Sequence, residues 1–492
     1  MAGMHVRSRF DHLSALRRLR RRDADEDARR RPDPSRPAGT DRVPEIRHIV
    51  LLMMENHSFD NYLGYLGRGD GLSEPPPCNP GPDGQPVPAH HLASTIQQEG
   101  FPSQSWRSSH IQYDEGRNDG FVAAIEDLTP GADATLGMGS WNGDDLPFYH
   151  ALAGTFPLAD RWFCSLLGPT FPNRRFLLAA TANGLIDDAI AGIIDYPPSG
   201  TIMDLLDRHG ISWTNYHHVP PLRLLTKQTG ARSGRAAVLA LSRLLPWLDH
   251  RVRGEIRCTT NLFPLGVTRT LGHLRHIDRF FLDAAAGRLP AVSVVDPDFA
   301  SCSEENPQDI RRGESFAADV VDAVMRGPGW PHTLLLWFYD EHGGYFDHVP
   351  PPDAVTPDDV APHSLDDGRG ALAWLARHLN LFGDLRRRDD APGGYDRYGF
   401  RVPAVVVSPY ARPDFVSSTV YDHTSALKMI EEKWNLPPLT RRDAAATAPW
   451  EMLDLAGPPA FLDPPELPRP AVPHLWRTPD GTAPAGLIND PR

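Results

Sequence analysis

Short apolar runs recur along the chain, and polar clusters or turns close them. Ile46 to Met54 reads IRHIVLLMM and Thr333 to Tyr339 reads TLLLWFY. Neither alternates in polarity, so each predicts a strand buried on both faces. Phe156 to Asp160, Ile211 to Tyr216, Ala291 to Val295 and Val402 to Val407 predict further strands. Between them, helical spacing of apolar residues predicts helices at Leu146 to Ala153, Arg174 to Ala182, Thr201 to Arg208, Leu274 to Ala286, Ser315 to Met325 and Thr424 to Trp434. Pro172 suits the first turn of the second of these. Helices alternating with apolar strands imply an α/β fold, a mostly parallel central sheet with helices on both faces.

The pattern also divides the chain. Residues 1–43 predict a disordered arm, first basic and then mixed with acids and prolines, and 44–440 form the main domain. Segments 217–270 and 353–398 interrupt the periodicity and read as insertions, while 441–492 predict a Pro-rich tail packing on the surface. The polar, Pro/Gly-rich stretch that runs to about Gly143 is too long for a plain connector.

Composition narrows the function. With 492 residues, 40% of them hydrophobic, the chain can bury a large core. Acids exceed bases by 63 − 50 = 13, which argues against a nucleic-acid partner. An acidic body still accommodates phosphate if a metal supplies local positive charge. No apolar run predicts a transmembrane segment, and no apolar core follows the early arginines as in a secretory leader, so a cytoplasmic location is expected. Cys78, Cys164, Cys258 and Cys302 lack metal or redox spacing and are expected to be reduced thiols.

The chemistry gathers where predicted strands end, since ligands of such sheets bind beyond the carboxyl ends of strands. Glu55 and Asn56 follow the first strand, and Asp340 and Glu341 follow TLLLWFY. Singly, such residues are more often turn formers or caps. Together they offer hard oxygen donors for a divalent metal ion, and burying those carboxylates without a cation would be costly. Calcium, magnesium, manganese and zinc all remain open. Thr170 opens a predicted helix, where backbone N–H groups can cradle a phosphate. It is either a nucleophile activated by a nearby metal or an ordinary cap. Arg174, one turn on, could fork a phosphate oxygen or form a surface ion pair.

Four segments then carry a family resemblance: ENHSFDNYLGYL (55–66), GPTFPNRRFLLAAT (168–181), YDEHGGYFDHVPPP (339–352), and RVPAVVVSPYARP with YDHTSALKMIEEKW (401–434). In this order the chain resembles the bacterial phosphoesterase family of phospholipases C and acid phosphatases, within the alkaline phosphatase superfamily. The resemblance implies an alkaline-phosphatase-like α/β/α sandwich, with Glu55, Asn56, Asp340 and Glu341 as metal ligands and Thr170 as nucleophile. It places His110 near the phosphate, and His348 and His423 in family blocks of less defined role. His348 either binds phosphate or protonates the leaving oxygen, or else is a structural histidine bonded to a neighbouring loop. One departure stands out. Relatives often carry Glu-His-Pro where this chain reads Glu305-Asn306-Pro307, and an amide cannot donate a titrating proton. His110, His348 or His423 would then have to serve the leaving group. The phospholipase C branch carries extra β-rich domains, so a chain of this length is expected in the acid-phosphatase-like branch.

The resulting expectation is metal-dependent hydrolysis of a small phosphomonoester or phosphodiester, with a phospholipid head group among the candidates, through a phosphothreonine. The alternative is a non-catalytic or transferase relative binding a phosphorylated ligand at the same site. A serine hydrolase lacks its GxSxG elbow here, and a P-loop nucleotide hydrolase its GxxxxGK[ST].

Overall fold

A computed structural model describes residues 30–188, 196–218, 258–263, 267–362, 393–470 and 472. Its centre is an eight-stranded sheet. The strands, in chain order, are β1 (His48–Met54), β2 (Leu158–Ala159), β3 (Trp213–His217), β4 (Leu274–His276), β5 (Val292–Val295), β6 (Thr333–Tyr339), β7 (Ala404–Val407) and β8 (Val416–Ser417). They lie in the order β8-β2-β7-β6-β1-β5-β3-β4. β6, β1, β5, β3 and β4 run parallel, and β7 is antiparallel to both of its neighbours. This is the mostly parallel α/β sheet that the apolar runs imply. All seven residues of β6 are buried, as a strand covered on both faces requires.

The helices that frame the site are α1 (Trp106–Tyr113), α2 (Pro147–Thr155), α3 (Thr170–Ala179), α4 (Ile277–Ala285), α5 (Ile310–Arg326) and α6 (His423–Lys433). α1 lies within the Pro/Gly-rich stretch, which therefore carries structure of its own. Two boundaries differ from expectation. Leu274–His276 pairs with β3 as an edge strand before the helix begins, because the His276 ring accepts from Asp278 N at 3.4 Å and caps α4. α5 starts five residues earlier than the apolar spacing suggests, at an Asp309 cap that accepts from Arg311 N at 3.2 Å.

Residues 1–29 of the expected arm, most of both expected insertions and the last twenty residues lie outside the described residues. The part of the arm from Arg30 onward departs from expectation, since it is tied to the end of α6. Asp33 N donates to Asn435 Oδ1 at 2.8 Å, and Arg42 N donates to the Lys433 carbonyl at 2.7 Å. Polar composition concealed this, because the ties are mainly hydrogen bonds, with Ala38 and Val43 adding the apolar contacts to the core. At the other end Met452 and Leu453 are buried against the main core. Among the described residues no helix is long and apolar enough to cross a membrane.

Candidate functional site

Three neighbouring parallel strands deliver acids to one edge of the sheet. β1 and β6 pair in register, with Met54 opposite Tyr339, so Glu55-Asn56 and Asp340-Glu341 leave the sheet side by side. β5, on the other side of β1, ends at Val295 and is followed by the buried Asp296. Asn56 takes a left-handed conformation with φ 71°, one that asparagine tolerates better than most residues. Its N–H donates to Asp340 Oδ1 at 3.2 Å, joining the two strand ends. Glu341 Oε2 accepts from Gly343 N at 2.7 Å. Gly343 sits at φ 66°, and a Cβ there would overlap the Asn56 carbonyl oxygen, so the first glycine of DEHGG is sterically required.

Thr170 begins α3 at this edge. Its hydroxyl donates to Asn56 Oδ1 at 3.3 Å. The turn before it is held by Asn173, whose Oδ1 accepts from Ser165 N at 2.8 Å and whose Nδ2 donates to the Gly168 carbonyl at 2.8 Å. That asparagine explains the last position of GPTFPN.

Arg174 occupies neither a surface ion pair nor an open fork. It is buried beneath the acids, with Nε donating to Asp340 Oδ2 at 2.9 Å. Glu55 Oε1 lies 3.6 Å and Asp296 Oδ1 3.7 Å from its guanidinium, which also bonds Thr259 Oγ1 at 2.9 Å and the Met53 and Met54 carbonyls. Burial opposes its charge, but Asp340, Glu55 and Asp296 hold it firmly cationic. Burial pushes Glu55 and Glu341 well above the usual carboxylate range. Arg174 pulls Glu55 back only in part, and Asp340 pushes Glu341 higher still. One guanidinium therefore serves a cluster that needs more positive charge.

Unsatisfied atoms say where that charge belongs. Glu55 Oε2, Glu341 Oε1 and Asn56 Nδ2 are buried without a hydrogen-bond partner. Two orphaned carboxylate oxygens are hard donors suited to a divalent cation, and the unpartnered Nδ2 of Asn56 is an N–H donor left for an anion. As they stand, no group of three or more His, Cys, Asp or Glu among the described residues is spaced to hold such a cation. The chemistry of the carboxylate donors fits an ion.

The histidines separate. His423, at the start of α6, donates Nε2–H to the Asp340 carbonyl at 2.7 Å and leaves a buried Nδ1 unpartnered; burial pushes it down to about 4. His110 on α1 gives Nδ1–H to the Trp106 carbonyl at 2.7 Å, which leaves Nε2 as a lone-pair nitrogen, and burial lowers its pKa. His348 belongs to another network. Its Nδ1 meets Asp60 Oδ2 at 2.6 Å and its Nε2 meets Asp70 Oδ1 at 3.2 Å, with Arg401 bridging Asp60 and Asp347. Burial pulls this histidine down, yet its bond to Asp60 and the charges of Asp60 and Asp347 together outweigh that and raise it. None of its hydrogen bonds reaches Thr170 or the acids. Asn306 donates to the Pro102 carbonyl at 3.3 Å.

Two further residues join the site. Asp296 follows an apolar strand just as Glu55 and Asp340 do, so the same signal in AVSVVDPD marks it. Asp188, which accepts from Phe171 N at 2.8 Å, sits in irregular sequence without any such signal.

A model of the Phosphoesterase family matches residues 46–437. Phospholipase C B of Mycobacterium tuberculosis is 31% identical over 456 residues, covering 85% of this chain and 79% of that protein. Non-specific phospholipase C1 of Arabidopsis thaliana is 28% identical, covering 82% and 69%. The non-hemolytic phospholipase C of Pseudomonas aeruginosa is 28% identical, covering 80% of this chain and 54% of its own length.

Proposed function

The chain belongs to the Phosphoesterase family and is a phosphoester hydrolase, and from that premise we propose that it works through Thr170 as a covalent nucleophile. The observation that carries this reading is the Thr170 hydroxyl 3.3 Å from Asn56 Oδ1, at the start of a helix and beside orphaned carboxylate oxygens. The Thr170 oxygen attacks phosphorus, the P–O bond to the leaving group breaks, and that oxygen takes a proton. Water then cleaves the phosphothreonine and restores the hydroxyl. Asn56 orients the attacking oxygen, and the start of α3 faces the phosphoryl group with its positive end.

Glu55, Asn56, Asp340 and Glu341 would hold a divalent cation, which supplies charge shielding at the phosphoryl oxygens and lowers the hydroxyl pKa. Arg174 lies below as a fixed counter-charge that keeps Asp340 and Glu55 in place. Among the histidines His110 is favoured as proton carrier. His348 has both nitrogens on carboxylates and His423 is wholly buried, whereas His110 remains partly exposed and its Nε2 has no hydrogen-bond partner among the described residues. The names of the relatives make a phospholipid head-group ester the first substrate to try.

Thr170→Ala should abolish release of p-nitrophenol from phosphate esters, at an unchanged melting temperature. Undiminished turnover would remove the nucleophile assignment.

A further inference from the structure

The start of α3 is already occupied by a carboxylate. Asp188 Oδ1 accepts from Phe171 N at 2.8 Å, the residue directly after Thr170. In the reading given above, this is among the N–H groups that a phosphoryl oxygen would approach. Asp188 keeps contact with solvent. Asn56, hydrogen-bonded to the Thr170 hydroxyl, brings a buried and unpartnered Nδ2 to the same place, which marks it as a ligand position independently of the helix end. We propose that Asp188 is the specificity residue of this site, discriminating against doubly charged phosphomonoesters in favour of singly charged phosphodiesters.

The discrimination is electrostatic. Around Thr170 stand Glu55, Asp340 and Glu341, with Arg174 as their buried counter-charge. A bound divalent ion and Arg174 would supply three positive charges against the four carboxylates Glu55, Asp296, Asp340 and Glu341, and the Asp188 carboxylate adds a further uncompensated charge next to the phosphoryl position. A monoester above its second ionisation carries two negative charges and a diester carries one. The repulsion from Asp188 is therefore about twice as large for the monoester. In Asp188→Asn the amide oxygen can still accept from Phe171 N, so the substitution removes charge and keeps the turn.

This inference rests on Thr170 as nucleophile, and the test separates the two. Wild type, Asp188→Asn and Thr170→Ala are assayed as full chains at roughly pH 8 on p-nitrophenyl phosphate and methyl p-nitrophenyl phosphate, which share a leaving group. Wild type should favour the diester. In Asp188→Asn the monoester-to-diester ratio of kcat/KM should rise about tenfold, a size between the water and protein-surface limits for one unit charge in contact. The inhibition constant of inorganic phosphate should fall with it. An unchanged ratio, or an unchanged phosphate inhibition constant, overturns the role of Asp188 while Thr170→Ala still abolishes both reactions. Turnover surviving in Thr170→Ala overturns the nucleophile, and this inference with it. Asp188→Ser serves as second variant, and must move the ratio in the same direction.

Discussion

Removing Arg174 separates a buried counter-charge from a substrate-binding fork. In Arg174→Met the volume is roughly kept while Asp340 Oδ2 loses a 2.9 Å donor and Glu55 and Asp296 lose a cation within 4 Å. All four side chains are essentially inaccessible to water, so solvent cannot replace the lost charge. Breaking a buried ion pair from one side costs about 3–5 kcal/mol. At about 2.1 cal/mol/K of unfolding entropy per residue, a domain of about 400 residues changes by about 0.8 kcal/mol per degree. The expected fall in melting temperature is therefore about 4–6 °C, read by scanning calorimetry without added metal. The loss should grow as pH rises. Without Arg174 Glu55 and Asp340 rise further above their unfolded values, and a raised carboxyl contributes stability below its unfolded pKa that is lost as pH climbs through the folded one. An unchanged melting temperature together with a raised KM would refute this, and would return Arg174 to the role of phosphate fork.

Two other outcomes follow from the same geometry. Chelation should silence hydrolysis, and re-adding calcium, magnesium, manganese or zinc singly should restore it with at least one ion; full activity in ion-free protein would dismiss the Glu55, Asn56, Asp340 and Glu341 cage. Glu314 caps α2, its Oε1 accepting from Phe148 N at 2.8 Å while Oε2 has no partner, and burial pushes it up to about 8. Its stability contribution is thus present below the ordinary value near 4.5 and lost as pH rises through about 8. Glu314→Gln should gain on wild type by about 1.4 kcal/mol per unit across that window, and parallel melting curves would refute the assignment.

How far the sequence reveals such a site depends on what makes each residue visible. The strands β1 and β6 were legible because strands buried on both faces must be apolar throughout, and no helix of that length explains TLLLWFY as well. Their closing residues were legible for a related reason: an acid directly after a fully buried strand has nowhere to go but the sheet's carboxyl edge. By that rule Asp296 was equally visible. The edge strand Leu274–His276 was not, since three residues with one apolar side chain read the same as the first turn of a helix. Nor was the tie between residues 30–43 and α6, because hydrogen bonds between distant polar groups leave no periodic trace.

Arg174 and Asp188 show the deeper limit. Both are charged residues in or near α3, and local sequence offers either of them to a phosphate. Which one meets the ligand depends on side-chain direction and on what lies beneath. Arg174 points inward to three carboxylates supplied by β1, β5 and β6, strands far apart in sequence. Asp188 turns back onto an N–H at the helix start. The expected attraction between an arginine and a phosphate is thereby replaced by a buried cation that holds the acids, and by a carboxylate bonded to the start of α3. Sequence motifs name the residues around a reacting phosphate. The sign of the field a substrate meets is set by which of those charges the fold buries.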